Sequence, residues 1–466
     1  FYMSFSMSSC CTSKKNFPIH GKLNFLCGCG KLILRIGKRV KNMFTEYDYA
    51  NEPIVDIVND MIIDAARRRA SDIHFDPTPT NLIVRIRVDG ELILYAKVPD
   101  AVKKNLVTRI KIIAGMNITE SRVPQDGAIK LKVDGNDLDL RVSSLPIVYG
   151  EKIVIRLLDY SETLSKLESL GFSDKNLQKV QKAITKPNGI ILVTGATGTG
   201  KSTTVYAILQ YLNTISRNII TVEDPVEMKI AGINQVQVMS EIGLTFASAL
   251  RSILRQDPDV IMIGEIRDNE TARIAVRASI TGHLVLSTVH TNNSLTTIER
   301  LVDMDVERYL LGSALEVIIS QRLCKKLCPK CRSSRPATPY EKRVFKTALG
   351  MDIENVYKPV GCASCYNGYS GRIALHEVLL LNQDIRDAIV NNVPKEKIRD
   401  LIYQSGNTTS ILDDGLLKVI NGLTSFEEVL RVIDIEDDLG EEQKELKNAL
   451  IGKKEHKENM ETLDLE

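Results

Sequence analysis

The pattern of hydrophobic and polar positions divides the chain into two regions with different periods. Between about residues 50 and 160, an amphipathic helical pattern precedes two runs of alternating apolar and polar residues, each built around an Asp-Gly pair. Alternation is typical of half-buried strands, and Asp-Gly favours a two-residue hairpin turn. From Gly189 to about Arg322, short continuous apolar strands alternate with helical stretches. This second pattern predicts a parallel sheet with helices on both faces, following a compact α+β domain.

Composition adds little to this picture and excludes some classes of protein. The 466 residues are 43% hydrophobic and 26% charged, with a formal net charge of +2, values that are ordinary for a globular protein. The near balance of charge, the absence of Trp and the 5% aromatic content give no reason to expect direct binding of nucleic acid. No stretch reaches the roughly 18 uninterrupted apolar residues of a spanning helix, so the sequence predicts none.

A glycine-rich loop between a predicted buried strand and a predicted helix is the strongest chemical signal. Its spacing, Gly195-x-x-x-x-Gly200-Lys201-Ser202, matches the P-loop in the required context. Glycines let the backbone curl so that several N–H groups point at phosphate oxygens, and the helix adds its positive end. Lys201 is expected to reach the β and γ phosphates, and Ser202 to coordinate Mg²⁺. The residues expected to hold ATP are Gly195, Ala196, Thr197, Gly198, Thr199, Gly200, Lys201, Ser202 and Thr203.

Acidic residues follow two other predicted parallel strands. Glu223 ends "NIITVE", and Glu265 follows "VIMIG". Ligands bind at the carboxyl ends of strands in open α/β sheets, so both acids should converge on the nucleotide. One is expected to orient and deprotonate the attacking water and the other to hold Mg²⁺ through its hydration shell, and the sequence does not divide these roles. His290 lies at the end of a further predicted strand. It is expected either to sense the γ-phosphate or to form a structural hydrogen bond.

Two paired cysteine turns, Cys328 with Cys331 and Cys362 with Cys365, lie late in the chain. Four thiolates in paired C-x₂-C turns suit tetrahedral Zn²⁺, whereas redox-active pairs and free core cysteines are the alternatives. The expected zinc is structural and takes no part in catalysis. Nine cysteines, an odd number, in a chain with enzyme motifs favour a reducing cytosol over a disulfide framework.

Taken together, the motifs resemble the type II secretion / type IV pilus assembly ATPase family over about residues 50–430. They are "ASDIHFDP", "RVPQDG", "GEKIVIRLLD", "GATGTGKSTT", "TVEDPVE", "LRQDPDVIMIGEIRD", "TGHLVLSTVHTN", the paired cysteines and "GYSGR". The resemblance implies a RecA-like P-loop domain behind a smaller α+β domain. It further implies a homohexameric ATPase, peripheral at the cytoplasmic side of the inner membrane, that drives a membrane platform protein to assemble a type IV pilus or a type II secretion pseudopilus. A DNA-uptake pseudopilus motor and a nucleic-acid translocase are the alternative functions.

The resemblance also implies arginines that reach the phosphates from the amino-terminal domain. Arg141 and Arg156 match those positions. Arg141 lies on the polar side of an alternating strand, whereas Arg156 is flanked by apolar residues, and capping of a buried acid is its alternative role. Arginines delivered across a moving domain boundary would stabilise the transferring phosphoryl group and couple chemistry to movement. The family's matching tetracysteine favours zinc, and the insert that carries it favours an assembly or secretion motor over a retraction motor.

Domain boundaries follow from the patterns and the resemblance together. The expected parts are a non-native or disordered leader (1–42), an amino-terminal α+β domain of PAS-like type (43–160), a linker (161–188), a RecA-like ATPase domain (189–323), a zinc-binding insert (324–372), a helical carboxyl-terminal part (373–433) and a charged flexible tail (434–466).

Overall fold

The computed structural model describes residues 44–159, 166–403 and 406–433. The predicted leader and the predicted tail lie outside the described residues.

Six strands and two helices form the amino-terminal domain, and both predicted hairpins are confirmed. The sheet is antiparallel throughout, in the order β3-β2-β1-β6-β5-β4. Its elements are α1 (Ile54–Arg67), β1 (Ala70–Pro77), β2 (Asn81–Val88), β3 (Glu91–Pro99), α2 (Asp100–Ile113), β4 (Gln125–Val133), β5 (Asn136–Ile147) and β6 (Gly150–Asp159). Apolar side chains that include Ile73 and Phe75 are buried beneath the two helices, because alternate strand residues point to the same face.

The other face of this sheet carries a row of charged residues across four strands. Arg141 of β5 pairs with Arg156 of β6, which pairs with Asp72 of β1, which in turn lies beside Arg87 of β2. Residues in register on neighbouring strands point to the same side of a sheet. Both arginines predicted to reach the phosphates therefore lie on one polar face.

The second sheet has seven strands and confirms the predicted α/β fold. Its order is β15-β12-β7-β11-β10-β8-β9, parallel except where β15 runs antiparallel to β12. The strands are β7 (Gly189–Thr194), β8 (Ile219–Glu223), β9 (Asn234–Gln237), β10 (Val260–Ile263), β11 (Leu284–Val289), β12 (Leu315–Leu327) and β15 (Tyr369–Leu380). The helices are α3 (Asp174–Ile184), α4 (Lys201–Leu212), α5 (Phe246–Ile253), α6 (Asn269–Ile280), α7 (Ser294–Asp303) and α8 (Arg308–Ala314), with 3₁₀ turns at Leu167–Leu170 and Ser240–Ile242.

Two apolar clusters sandwich this sheet. Ile190 and Leu192 of β7 belong to the cluster beneath α5 to α8, whereas Ile191 and Val193 belong to the one beneath α3 and α4. Strands buried on both faces carry continuous apolar runs, which is why the sequence shows no alternation there.

The last two strands of this sheet differ from the sequence expectation. β12 runs through position 323, at which the ATPase domain was expected to end, and β15 runs through position 372, after which helices alone were expected. The apolar run in β15 fits a strand and a buried helix equally well, and only its pairing with β12 decides between them. Helices α10 (Gln383–Val390), α11 (Lys395–Tyr403), α12 (Ile411–Ile420) and α13 (Phe426–Val432) follow it.

Between β12 and β15 the chain forms the cysteine-bearing insert. It contains β13 (Ser333–Pro336), α9 (Pro339–Leu349) and β14 (Asn355–Lys358), and β13 pairs antiparallel with β14. A third apolar cluster joins Phe345 of α9 to Leu416 of α12 and Phe426 of α13. The insert therefore shares its core with the carboxyl-terminal helices.

Candidate functional site

The glycine-rich loop joins the end of β7 to the start of α4 in a conformation that requires glycine. Gly195, Gly198 and Gly200 have φ angles of 152°, 80° and 88°. A Cβ atom added to Gly195 would lie 2.5 Å from Thr199 Oγ1. Side chains are therefore excluded where the backbone curls, and its N–H groups are left to face a ligand.

Lys201 is the first residue of α4, and its ammonium group lies inside the curl of the loop. Its Nζ donates hydrogen bonds to the carbonyl oxygens of Gly195 at 2.8 Å and Ala196 at 3.0 Å. Burial lowers the pKa of Lys201, Glu265 opposes that effect, and Arg322 adds to it. Phosphate oxygens would replace uncharged carbonyls as partners of this cation, so the loop fits a polyphosphate.

Glu223 ends β8 with its carboxylate buried among hydrogen-bond donors. Its Oε1 accepts bonds from Thr221 Oγ1 at 2.6 Å and Gln235 Nε2 at 3.1 Å, and its Oε2 accepts from the Tyr206 hydroxyl. Burial and the bond to Glu223 raise the pKa of Tyr206, so the phenol stays a donor. Both oxygens of Glu223 are thus engaged with the protein.

Glu265 is less constrained than Glu223. One oxygen pairs with Arg267 Nη2 at 2.6 Å, and the other lies 3.3 Å from His290 Nε2 without a hydrogen bond of good geometry. Burial lowers the pKa of His290, and the positive charge of Lys201 lowers it further. The imidazole is therefore neutral near pH 7 and can donate or accept a hydrogen bond.

One cavity collects the groups that the sequence placed at separate strand ends. Its volume is about 470 Å³, and it is lined by residues that include Lys201, Ser202, Glu223, Glu265 and His290. Parallel strands bring these residues together because their carboxyl ends meet at the same edge of the sheet.

Of the two arginines predicted to reach the phosphates, the structure brings one to the ATPase domain. Arg141 donates to the carbonyl oxygen of Val226 at 2.8 Å and pairs with Glu227 at 3.1 Å, three and four residues beyond Glu223. Arg156 instead donates through Nε to Asp72 Oδ1 at 3.0 Å. Its alternative role, the capping of a buried acid, is the one seen in this conformation, because Asp72 is buried.

Arg372, which was assigned no role from the sequence, lines both this cavity and a second one. The second cavity, about 530 Å³, is bounded by the amino-terminal domain, residues 168–171 and the ATPase domain. Both cavities are lined by Gly200, Thr203, Leu323 and Arg372. The signal that could have identified this arginine is its place at the end of the glycine-containing motif "GYSGR".

The four predicted cysteine ligands form a compact cluster. Their sulfur atoms all lie within 4.8 Å of one another, with Sγ···Sγ distances of 3.9 Å from Cys328 to Cys362, 3.6 Å from Cys331 to Cys365 and 3.6 Å from Cys362 to Cys365. Metal–sulfur bonds of about 2.3 Å in a tetrahedron give edges of about 3.8 Å. The cluster fits Zn²⁺, and Cys324 lies outside it.

Most of the chain matches a known protein family. The model of the family "Type II/IV secretion system protein" matches residues 48–431. The chain belongs to this family. The sequence expectation of a secretion or pilus motor that hydrolyses ATP is thereby confirmed.

Individual relatives of this secretion-motor family agree. The chain is 48% identical over 381 residues to "Type II secretion system protein E" of Pectobacterium carotovorum subsp. carotovorum, covering 82% of this chain and 76% of that protein. It is 45% identical over 381 residues to "Type II secretion system ATPase E" of Vibrio cholerae, covering 82% and 75%.

Solved structures support the secretion-motor fold. The pilus retraction motor PilT with bound ADP is 28% identical, with a TM-score of 0.55, covering 80% of this chain and 95% of PilT. The ATPase DotB of Legionella pneumophila, 22% identical with a TM-score of 0.63, covers 84% of this chain and 99% of DotB and is similar in fold. Among the described residues of this family member, no helix is both long and apolar enough to cross a bilayer.

Proposed function

We propose that this chain powers a type II secretion machine by hydrolysing ATP in the cavity between the P-loop and the ends of β8 and β10. The convergence of Lys201, Glu223, Glu265 and His290 on that cavity carries the proposal. The names of the relatives favour secretion over the type IV pilus and over DNA uptake.

Within the cavity, the residues divide the work by their hydrogen bonding. Lys201 exchanges its carbonyl partners for the β and γ phosphates, and the exposed hydroxyl of Ser202 is placed for Mg²⁺. Glu265 holds the hydration shell of Mg²⁺, since one of its oxygens makes no hydrogen bond among the described residues. Glu223 then orients the attacking water, for which it must release one of its present donors. A neutral His290 senses the γ-phosphate from the side of Glu265.

The second cavity holds the base and ribose. It adjoins the P-loop at Gly200 and Thr203, and the amino-terminal domain forms part of its wall. A nucleotide that spans both cavities touches both domains, so its binding and release change their relative position.

Arg141 and Arg156 act through that movement. Arg141 already contacts the loop that follows Glu223, and Arg156 is its cross-strand neighbour on the same face. Closure of the amino-terminal domain over the phosphates would exchange Glu227 and Asp72 for phosphate oxygens as the partners of these arginines. The exchange links the charge that develops during hydrolysis to domain motion.

The working assembly is a homohexamer peripheral at the cytoplasmic side of the inner membrane, where it drives a membrane platform protein. Zinc held by Cys328, Cys331, Cys362 and Cys365 stiffens the insert that meets this partner or a neighbouring subunit. The fit of the four sulfur atoms to a tetrahedron supports the metal.

Two assays test the proposal. The purified chain is expected to hydrolyse Mg-ATP, and a gene carrying Lys201→Ala is expected to fail to restore secretion in a strain that lacks the motor. Restored pilus extension without secretion would favour the pilus machine, and stimulation of the ATPase by DNA would favour a nucleic-acid translocase. Secretion restored equally by the variant and the native gene would contradict the proposal.

A further inference from the structure

The turn between β2 and β3 of the amino-terminal domain docks on the ATPase domain next to Arg372. The turn consists of Asp89 and Gly90, with φ angles of 50° and 90°, the left-handed geometry of a tight two-residue hairpin. Asp89 Oδ2 accepts a hydrogen bond of 3.0 Å from the backbone N–H of Gly371. The next residue after the turn, Glu91, pairs with Lys325.

The contact of Asp89 is with β15 and that of Glu91 is with β12, and the pairing of these two strands is irregular at this point. Lys325 of β12 lies opposite Arg372 of β15, but the following pair is Leu327 with Tyr369, so β15 contains one extra residue. Gly371 lies in this bulge with a φ angle of 77°. Bulges re-aim a neighbouring side chain and leave a backbone group without a partner in the ladder. Asp89 supplies the acceptor for such a group.

Charge reinforces the contact. Lys325 is nearly buried, and its ammonium lies 3.7 Å from Glu428 and 5.3 Å from the centre of the Tyr369 ring, in addition to its bond with Glu91. Lys325, which lies next to the bulge on the opposite strand, is therefore held by Glu428 and Tyr369, while the hairpin turn binds the bulge itself at Gly371.

The geometry assigns Asp89 as a positioning residue for the nucleotide site. By holding the amide of Gly371, Asp89 fixes the backbone that presents Arg372 to the two cavities. The amino-terminal domain thus affects the proposed nucleotide site at a second point of contact, separate from the face that carries Arg141. This inference rests on the proposed nucleotide site.

The chain offers a matched control for this role. Asp134 and Gly135 form the turn between β4 and β5 with the same φ angles, 50° and 90°. Asp134 pairs with exposed Arg67 of its own domain. Glycine accepts the left-handed conformation at either turn, so Asp89→Gly and Asp134→Gly remove a carboxylate without straining the backbone.

Steady-state hydrolysis of Mg-ATP by the full chain tests the assignment. Asp89→Gly is expected to raise the KM for ATP about five-fold, with a smaller effect on kcat, as the loss of one partly buried hydrogen bond implies. Asp89→Asn is expected to keep the native KM because its Oδ1 still accepts the bond and Asn tolerates this backbone conformation. Asp134→Gly is expected to stay within about two-fold of the native KM.

A double-mutant cycle with Arg372→Ala separates positioning from general structure. In the Arg372→Ala background, Asp89→Gly is expected to change KM by less than about two-fold, because the group it positions is gone. Native KM in Asp89→Gly or in Arg372→Ala, full additivity of the two, equal defects in both glycine variants, or failure of Asp89→Asn to rescue would each overturn the assignment.

The activity of Lys201→Ala distinguishes a failure of the positioning role of Asp89 from a failure of the proposed function. Native hydrolysis by Lys201→Ala would show that the nucleotide site itself is misplaced. Hydrolysis that depends on Lys201 but not on Asp89 would leave that site standing and reject the positioning role alone.

Discussion

The P-loop cavity and the tetracysteine cluster, both formed by residues that follow the amino-terminal domain, are built in different ways. In the P-loop cavity, Lys201 donates hydrogen bonds to the carbonyl oxygens of the loop that follows β7, and Glu223 accepts hydrogen bonds at the end of β8; both strands are buried on both faces. In the cysteine cluster, four sulfur atoms that all lie within 4.8 Å of one another are carried by two turns beside a two-stranded ribbon.

This difference predicts opposite responses to the loss of a ligand. The nucleotide cavity is shaped by the core around it, so removal of a catalytic side chain should leave the fold unchanged. The cysteine turns bring together groups that repel one another as thiolates, so the metal itself must hold them. Loss of a ligand should therefore lower the rate of ATP hydrolysis at the first site and the stability of the fold at the second.

The largest expected effect is on catalysis, from Lys201→Ala. The variant removes the cation proposed to bind the β and γ phosphates, and kcat is expected to fall by about 10³-fold or more with an unchanged melting temperature. Steady-state ATPase assays and thermal unfolding measure both quantities. Lys182→Ala, an exposed lysine of α3, serves as the control and should retain native turnover. A native rate in Lys201→Ala would remove the site assignment.

Loss of the metal is expected to act on stability. Cys328→Ser should release zinc and lower the local stability of residues 324–372 by an amount on the order of several kcal/mol. Metal analysis and hydrogen exchange report the two changes.

The control for the metal is Cys324→Ala, which removes the buried thiol outside the cluster and should keep the zinc. Freshly purified native protein that contains no metal would reject the zinc site.

A smaller effect on rate is expected from Arg141→Ala. Because this arginine is proposed to act on the phosphates only after domain closure, kcat should fall about 10²-fold while the Kd for ATP changes by less than about three-fold. Arg122→Ala removes an exposed arginine of the same domain, paired with Glu120, and should leave both quantities unchanged. Equal losses of kcat and affinity in Arg141→Ala would contradict a role in the transition state.

The smallest expected effect concerns β15, the strand that connects the two sites. His376 is fully buried and stacks on Phe172 with ring centres 3.8 Å apart. Burial lowers its pKa well below 6.5, and the positive charge of Lys418 lowers it further. Below pH 6.5 the imidazole of His376 binds a proton in the unfolded chain but stays neutral in the native protein. The free energy of unfolding therefore falls as the pH falls.

The contribution of His376 to that slope is at most about 1.4 kcal/mol per pH unit. His376→Phe keeps the stacked ring without a titrating group and should flatten the dependence of stability on pH between 6.5 and the lowered pKa. Urea unfolding of the native protein and the variant at several pH values measures the difference. Identical slopes would show that folding does not lower the pKa of this histidine.

Local pattern was enough to predict much of the fold. The two Asp-Gly hairpins and the strands β7, β8, β10 and β11 appear where alternation or continuous apolar runs placed them, because short-range chemistry determines each. Neither β12 nor β15 was predicted as a strand from the sequence. A strand buried on both faces carries no period of its own, and its partner lies some fifty residues away in sequence.

The candidate site divides in the same way. The spacing of the P-loop and of the cysteines is local, so the sequence contains it. The sharing of one cavity by Glu223, Glu265 and His290 follows from a general rule on parallel sheets and could be expected. The role proposed for Arg372 could not, because only the docking of the hairpin turn brings Asp89 to the backbone N–H of the preceding residue, Gly371.

By itself, the sequence determined which residues are proposed to bind phosphate, Mg²⁺ and zinc, since the proposal follows from the chemistry of side chains and of glycine backbone at fixed spacing. Only the tertiary structure decided how the two domains meet: that Arg141 reaches the loop after Glu223, that Arg156 is held by Asp72, and that a remote turn supports Arg372. The physical reason is that a contact between domains depends on the relative placement of two separately folded surfaces, which no local pattern encodes.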